Sequence, residues 1–419
     1  MIRTREHLLH VLAEAAELEH NLLCSYLFAA FSLKQGVDED LAAHELAAVE
    51  RWRGAIMQVC VEEMVHLAQV ANLTVAVGSR PHFDRPNLPV APGYHPAGVR
   101  VALRPFDLDT LQHFVYLERP EGSPEVDGAG YGTPAGQGVR GGEVGRLMPS
   151  SPEYETIGEF YGILEQGFAD LAARHGERAL FLGPAAHQLR ADEIDAPELS
   201  VVTDLATARR AIHLIVVQGE GSRPGQPESH YGHFHGIADE YRKLAAARPA
   251  FTPSRPVASN PVMRHPQASD RVHVTGTAAA PLLDSANAVY SLMLRCLVEL
   301  YDSAIPERRE ALLGGAFALM HVLGEMGSAL TRLPASDAPG APHAGLTFAM
   351  MRSTEGFAPG VEPLPLVAQR FADIESHLDD LELSAEARAR VRAQLAASRQ
   401  QLEGLTNSVP GPVRLSRSP

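Results

Sequence analysis

The sequence predicts a mainly α protein: a four-helix bundle with an inserted loop-rich segment, followed by a second, C-terminal helical unit. Three observations carry this reading. Apolar residues recur at alternating steps of three and four through two long stretches, 4–33 and 40–78. Pro and Gly become frequent in 80–150, where the pattern lapses. Helical patterning returns after 284, beyond a stretch rich in Pro, Ser and Ala at 248–283 that reads as a linker. At 419 residues, two or three domains are expected.

Taken in order, the first helix is expected over about 4–33, stopping at Gly36. The second begins near Asp38 or Asp40, stops at Gly78, and has Trp52-Arg53-Gly54 as a candidate bend. Inside the insert, 99–103 reads as a short strand, 108–117 as a short helix, and the Gly-rich 121–149 as a surface loop or lid. A third helix is placed from Ser150/Ser151-Pro152 to Gly176, and a fourth from Thr203-Asp204 to Gly219-Glu220-Gly221. Ser229 caps a further helix ending near Ala247, which closes the first unit at 1–247. The second unit spans 284–406, with helices over 285–303, 306–331, 363–381 and 386–403, and 407–419 reads as an unstructured tail.

Two acidic residues interrupt apolar seams. Ile56, Val59, Glu63, His66, Val70, Leu73 and Val77 share one helix face, so Glu63 and His66 both point into the core. Leu8, Leu12, Ala15, Glu19, Leu22 and Tyr26 do the same on the first helix. A charge in an apolar stripe costs several kcal/mol, roughly, unless it is paired or bound to a cation, and two such carboxylates on different helices suggest a shared metal. Helix bundles that hold two iron or manganese ions use inward Glu residues and Glu-x-x-His pairs in this way. Glu17/His20 has the same spacing but points away from the Glu19 stripe and reads as a surface pair. Tyr26 and Tyr161 lie near proposed ligands and are candidate catalytic neighbours, as hydrogen-bond donors or redox groups.

Composition narrows the function classes. A net charge of −15 disfavours nucleic acid and anionic membrane. The opening residues run into an amphipathic helix rather than a signal sequence, so the expected location is cytoplasmic. Cys24, Cys60 and Cys296 are widely spaced, which argues against a disulfide framework or a zinc–thiolate site. Many of the 19 histidines, including His82, His95 and His343, sit among Pro and Gly and read as loop residues.

In order along the chain, Glu17-Leu18-Glu19-His20, Val61-Glu62-Glu63-Met64-Val65-His66-Leu67, Ile157-Gly158-Glu159-Phe160-Tyr161, Gln218-Gly219-Glu220-Gly221 and Ser229-His230-Tyr231 form a set. This set resembles the ferritin-like proteins related to iminophenyl-pyruvate dimer synthases of violacein- and rebeccamycin-type pathways. The resemblance covers about 1–245. It implies a ferritin-like bundle with metal ligands Glu19, Glu63, His66, Glu159, Glu220 and His230. Position 223 is Arg rather than the His of a Glu-x-x-His, which leaves His233 as the alternative to His230, and Glu165 is the alternative to Glu159.

Carboxylate-rich ligation suits two iron ions, with manganese as the other option, and a substrate-binding site open to oxygen or peroxide. The expectation is a non-haem di-iron oxidoreductase acting on a small, amino-acid-derived molecule in specialised metabolism. A ferroxidase without organic substrate and a metal-free scaffold are the alternatives, and a homo-oligomer is compatible with each.

Overall fold

The computed structural model describes residues 2–91, 94–95, 99–131, 149–219, 221, 226–266, 270–352, 356–358 and 360–408. Its helices are α1 Arg5–Ser32, α2 Ala43–Ala76, α3 Leu108–Leu117, α4 Ile157–His175, α5 Glu177–Leu180, α6 Ala191–Ile194, α7 Leu205–Gly219 and α8 His230–Ala247. They continue as α9 Ala279–Tyr301, α10 Pro306–Leu330, α11 Pro363–Ser376 and α12 Ala385–Ser408. Two-residue strands β1 Pro261–Val262 and β2 Val272–His273 pair in parallel, Pro261 with Val272.

Helices α1, α2, α7 and α4 pack as a closed ring of four, each against its neighbours. Thr4 caps α1 through its hydroxyl, which accepts from the His7 N–H. α2 starts later than the Asp pair suggests: 37–39 form a separate 3₁₀ turn, and the Glu45 carboxylate accepts from the Ala42 N–H to close the helix start. The helix runs unbroken through Gly54. Trp52 is buried against Phe106 and Tyr241 and donates to Glu240, which holds that turn in place.

α3 and α8 pack on each other outside the ring, and α8 also lies on α2. The expected strand at 99–103 does not form. Its Leu103 is paired instead by a single residue, Asn260, through both its side-chain oxygen and its N–H. α4 begins at Ile157 rather than near Ser150, with Thr156 as its cap, because Tyr154 is drawn into the core to donate to Glu14.

α9, α10, α11 and α12 form a second helical group whose apolar core is continuous with that of the ring. α10 has the length and hydropathy of a membrane span, but 56% of that window is buried, and its apolar residues pack on α9 and α12.

The stretch read as a linker, 248–283, is anchored rather than loose. Arg255 is 3% exposed and donates two parallel bonds to Glu39, of 2.6 and 2.8 Å. It also donates to the carbonyls of Phe31 and Leu33 at the end of α1 and to Thr331 at the end of α10. A cation at two helix C-termini is favoured by their dipoles. Pro-rich composition marks the absence of helix over 248–278, α9 beginning at Ala279 before the expected boundary, and the attachments of Arg255 supply the order.

Burial raises the Glu39 carboxyl, but the Arg255 guanidinium outweighs it and holds the group below its ordinary value of 4.5. Its contribution to stability is therefore present above that value and lost as pH falls through the depressed one. Glu39→Ala is expected to cost about 3 kcal/mol at pH 7 and progressively less below pH 4 in urea denaturation; a pH-independent loss would contradict this.

Candidate metal centre

Among the described residues, five acidic and imidazole side chains meet at one buried point. Glu19 comes from α1, Glu63 and His66 from α2, Glu118 from the residue that ends α3, and His230 from the first position of α8; each is at most 3% exposed. Glu63 stands between the two rings. Its Oε1 lies 3.0 Å from His230 Nδ1 and its Oε2 3.5 Å from His66 Nδ1. Glu19 Oε2 is 3.4 Å from His66 Nδ1, and Glu118 Oε2 is 3.7 Å from His230 Nδ1.

The arrangement is thus two like halves sharing a central carboxylate. A tyrosine completes each half. Tyr161 donates to Glu19 Oε1, and Tyr26 donates to Glu118 Oε1 at 2.5 Å. Both phenols are held protonated: burial and then the neighbouring carboxylates push them well above their usual range. Each ring's outer nitrogen is also occupied, His66 Nε2 by Gln218 Oε1 at 2.8 Å and His230 Nε2 by Glu62 Oε2 at 3.0 Å.

Burial, and then the Glu63 charge, raise the Glu19 carboxyl to about 8. Burial would raise Glu63 as well, but contact with His230 and His66 overrides it and holds Glu63 below the carboxylate range. Burial would lower His66, yet Glu19 and Glu63 carry it to about 10, and carboxylates raise His230 in the same way. These shifts favour the protonated form of Glu19 and of both imidazoles and the ionised form of Glu63. Cations would replace those protons.

The geometry fits such cations. Donors that neighbour each other on a first-row ion, with bonds of about 2.0–2.2 Å, lie roughly 2.9–3.5 Å apart, and three of the four central contacts fall there. His230 Nδ1 and Glu63 Oε2 are buried and find no hydrogen-bond partner among the described residues, and both face this point. Oxygen and nitrogen donors without thiolate suit iron or manganese; burial and then Glu63 keep the nearby Cys60 thiol protonated.

The sequence-predicted residues divide accordingly. Glu19, Glu63, His66 and His230 converge, with Tyr26 and Tyr161 against the terminal carboxylates. Glu159 does not join them. It is the third residue of α4, its carboxylate accepting from the Glu155 N–H, while Phe160, Tyr161 and Leu164 take the buried face. Glu165 pairs with Arg209 at the surface. His233, the alternative to His230, is half-buried and outside the set, and Glu220 lies outside the described residues, as does 132–148 of the expected lid.

The described start of that loop is pinned beside the centre. Glu125 accepts from Tyr231 and Gln112, and Asp127 lies 2.6 Å from His113.

Glu118 was missed, although it continues the stripe Leu111, Phe114, Val115 at helical spacing. Gly219 passes so close that a Cβ there would sit 3.1 Å from Glu118 Oε2. Glu17/His20 also departs from its reading as a surface pair. His20 is buried and bonded to Tyr290 of α9, and Glu17 holds His82 and Tyr94. His95 lies in a loop, as expected, but is buried there beside Asn21.

Helices that turn carboxylates and imidazoles inward onto one point define a helix-bundle carboxylate–histidine protein. A family model described as Ferritin-like matches residues 12–239, more than half the chain, and the chain belongs to that family. It is 27% identical over 360 residues to a dichlorochromopyrrolate synthase from Lentzea aerocolonigenes, covering 76% of this chain and 33% of that protein. It is 26% identical over 362 residues to a 2-imino-3-(indol-3-yl)propanoate dimerase from Chromobacterium violaceum, covering 80% and 33%. The chain thus spans about a third of the length of these relatives. A ferritin like protein from Caulobacter vibrioides covers 78% of this chain and 95% of its own, with 19% identity and a TM-score of 0.49.

In metal-free protein at pH 7, Glu63→Gln should cost about 3 kcal/mol, because it removes the carboxylate that lies between the two buried imidazoles. Glu19→Gln should cost less than about 1 kcal/mol, since the amide mimics a carboxyl that already holds its proton. Urea denaturation in chelator measures both, and equal losses would contradict the assigned protonation.

Proposed function

We propose that the centre holds two iron ions, or manganese in their place, in an oxidative enzyme acting on a small amino-acid-derived imine. The observation that carries this is Glu63, whose two oxygens each face a histidine backed by its own terminal carboxylate. Glu19, His66 and one Glu63 oxygen would hold one ion; Glu118, His230 and the other oxygen would hold the second. When bound, such ions supply oxygen or peroxide activation and carry electrons.

The relatives' names direct the substrate reading, since one is a dimerase of an imino acid. Joining two imines through a new C–C bond with loss of two hydrogens is a two-electron oxidation. The electrons pass to oxygen, giving hydrogen peroxide, or to peroxide, giving two waters, and the two protons leave with them.

The chain's own groups prepare this chemistry. Tyr26 and Tyr161 hold the terminal carboxylates by their second oxygens and leave the first to face the centre. The apolar shell of Phe114, Phe160 and Phe234 excludes water around them. The pinned loop start at Glu125 and Asp127 bounds the side nearest α3 and α8.

Freshly purified protein is expected to carry two equivalents of iron or manganese by elemental analysis. Glu63→Ala, His66→Ala and Glu118→Ala should each lose most of it, and Glu159→Ala should keep it. Oxygen uptake with an aryl imino acid should require the metal. Full turnover after its removal would overturn the proposal, while iron oxidation without any effect of organic substrate would favour a ferroxidase.

A further inference from the structure

Among the described residues, the two halves of the centre carry the same kinds of inner group and differ in an outer one. Each has an imidazole Nδ1 facing inward, a terminal carboxylate, a tyrosine on that carboxylate, and one oxygen of Glu63. The outer nitrogens part company. His230 Nε2 lies 3.0 Å from a carboxylate oxygen of Glu62, itself fixed by Gln58, which donates to the other oxygen at 3.1 Å. His66 Nε2 lies 2.8 Å from the neutral amide oxygen of Gln218, in the last turn of α7.

An N–H given to a carboxylate leaves the opposite ring nitrogen more basic, and a better ligand, than one given to an amide. Both arrangements fix the same tautomer, so orientation is equal and donor strength is not. We propose that Glu62 and Gln218 are positioning residues that make the subsites unequal: the first ion settles at His230 and Glu118, and the second, weaker one at His66 and Glu19. This rests on the two-ion reading above.

Anaerobic titration of the metal-free full chain with Co²⁺, followed by its visible absorption, tests it without turnover. The wild type should fill in two steps separated by about tenfold or more. Glu118→Ala should remove the tighter step and Glu19→Ala the weaker. Glu62→Gln keeps the shape and removes the charge, so it should weaken the first step by about 10–100-fold and draw the two together. Gln218→Glu should tighten the second by a similar factor. If that variant does not fold, the Glu62→Gln arm decides alone. Two equal steps, or steps that the exchanges at 62 and 218 leave in place, would overturn the inequality and leave the two-ion reading standing. Fewer than two ions bound by wild type would overturn both.

Discussion

The structure turns on one ionised carboxylate, Glu63, buried between two imidazoles. Taking such a charge out of water is costly, and here it is sustained by His66 on one side and His230 on the other. The rings are only 5.3 Å apart, centroid to centroid, so two imidazolium charges would repel strongly without the anion between them. Each element that packs around this point supplies one part of the balance. Remove Glu63, and both imidazoles lose the anion between them.

The bundle and its insert share that task. α1 and α2 deliver Glu19, Glu63 and His66 from rigid, adjacent helices, while α3 and α8, outside the ring of four, deliver Glu118 and His230. The insert is therefore part of the centre. The second helical group buttresses another side of α1, where Tyr290 bonds His20 and stands near Arg85 and Cys24. Continuity of the apolar core between the two groups means that strain at one is felt at the other.

Periodicity made Glu63 and His66 legible because α2 has an exposed side against which its buried stripe stands out. α1 gave up Glu19 but misled on His20. It is covered by α2, α4 and α10 together with His82 and His95, so most positions are buried and no single stripe stands out. Glu118 is hidden in a Pro- and Gly-rich insert whose composition speaks for loops, although Leu111, Phe114 and Val115 share its helix face. Glu159 was carried by resemblance alone, and the later start of α4 turns it into a helix-start residue. Arg255 illustrates the limit most clearly: a Pro-rich stretch gives no periodic signal, and its order comes from contacts more than 200 residues away in sequence.

Everything proposed for this centre depends on where metal sits. Anomalous diffraction at the iron absorption edge, from crystals of protein loaded anaerobically, measures that directly. Two peaks flanking the Glu63 carboxylate, one beside His66 and Glu19 and the other beside His230 and Glu118, are the predicted result. Loaded crystals with no peak there, and the histidines still in contact with Glu63, would show that the carboxylate is neutralised by protein groups alone and contradict it.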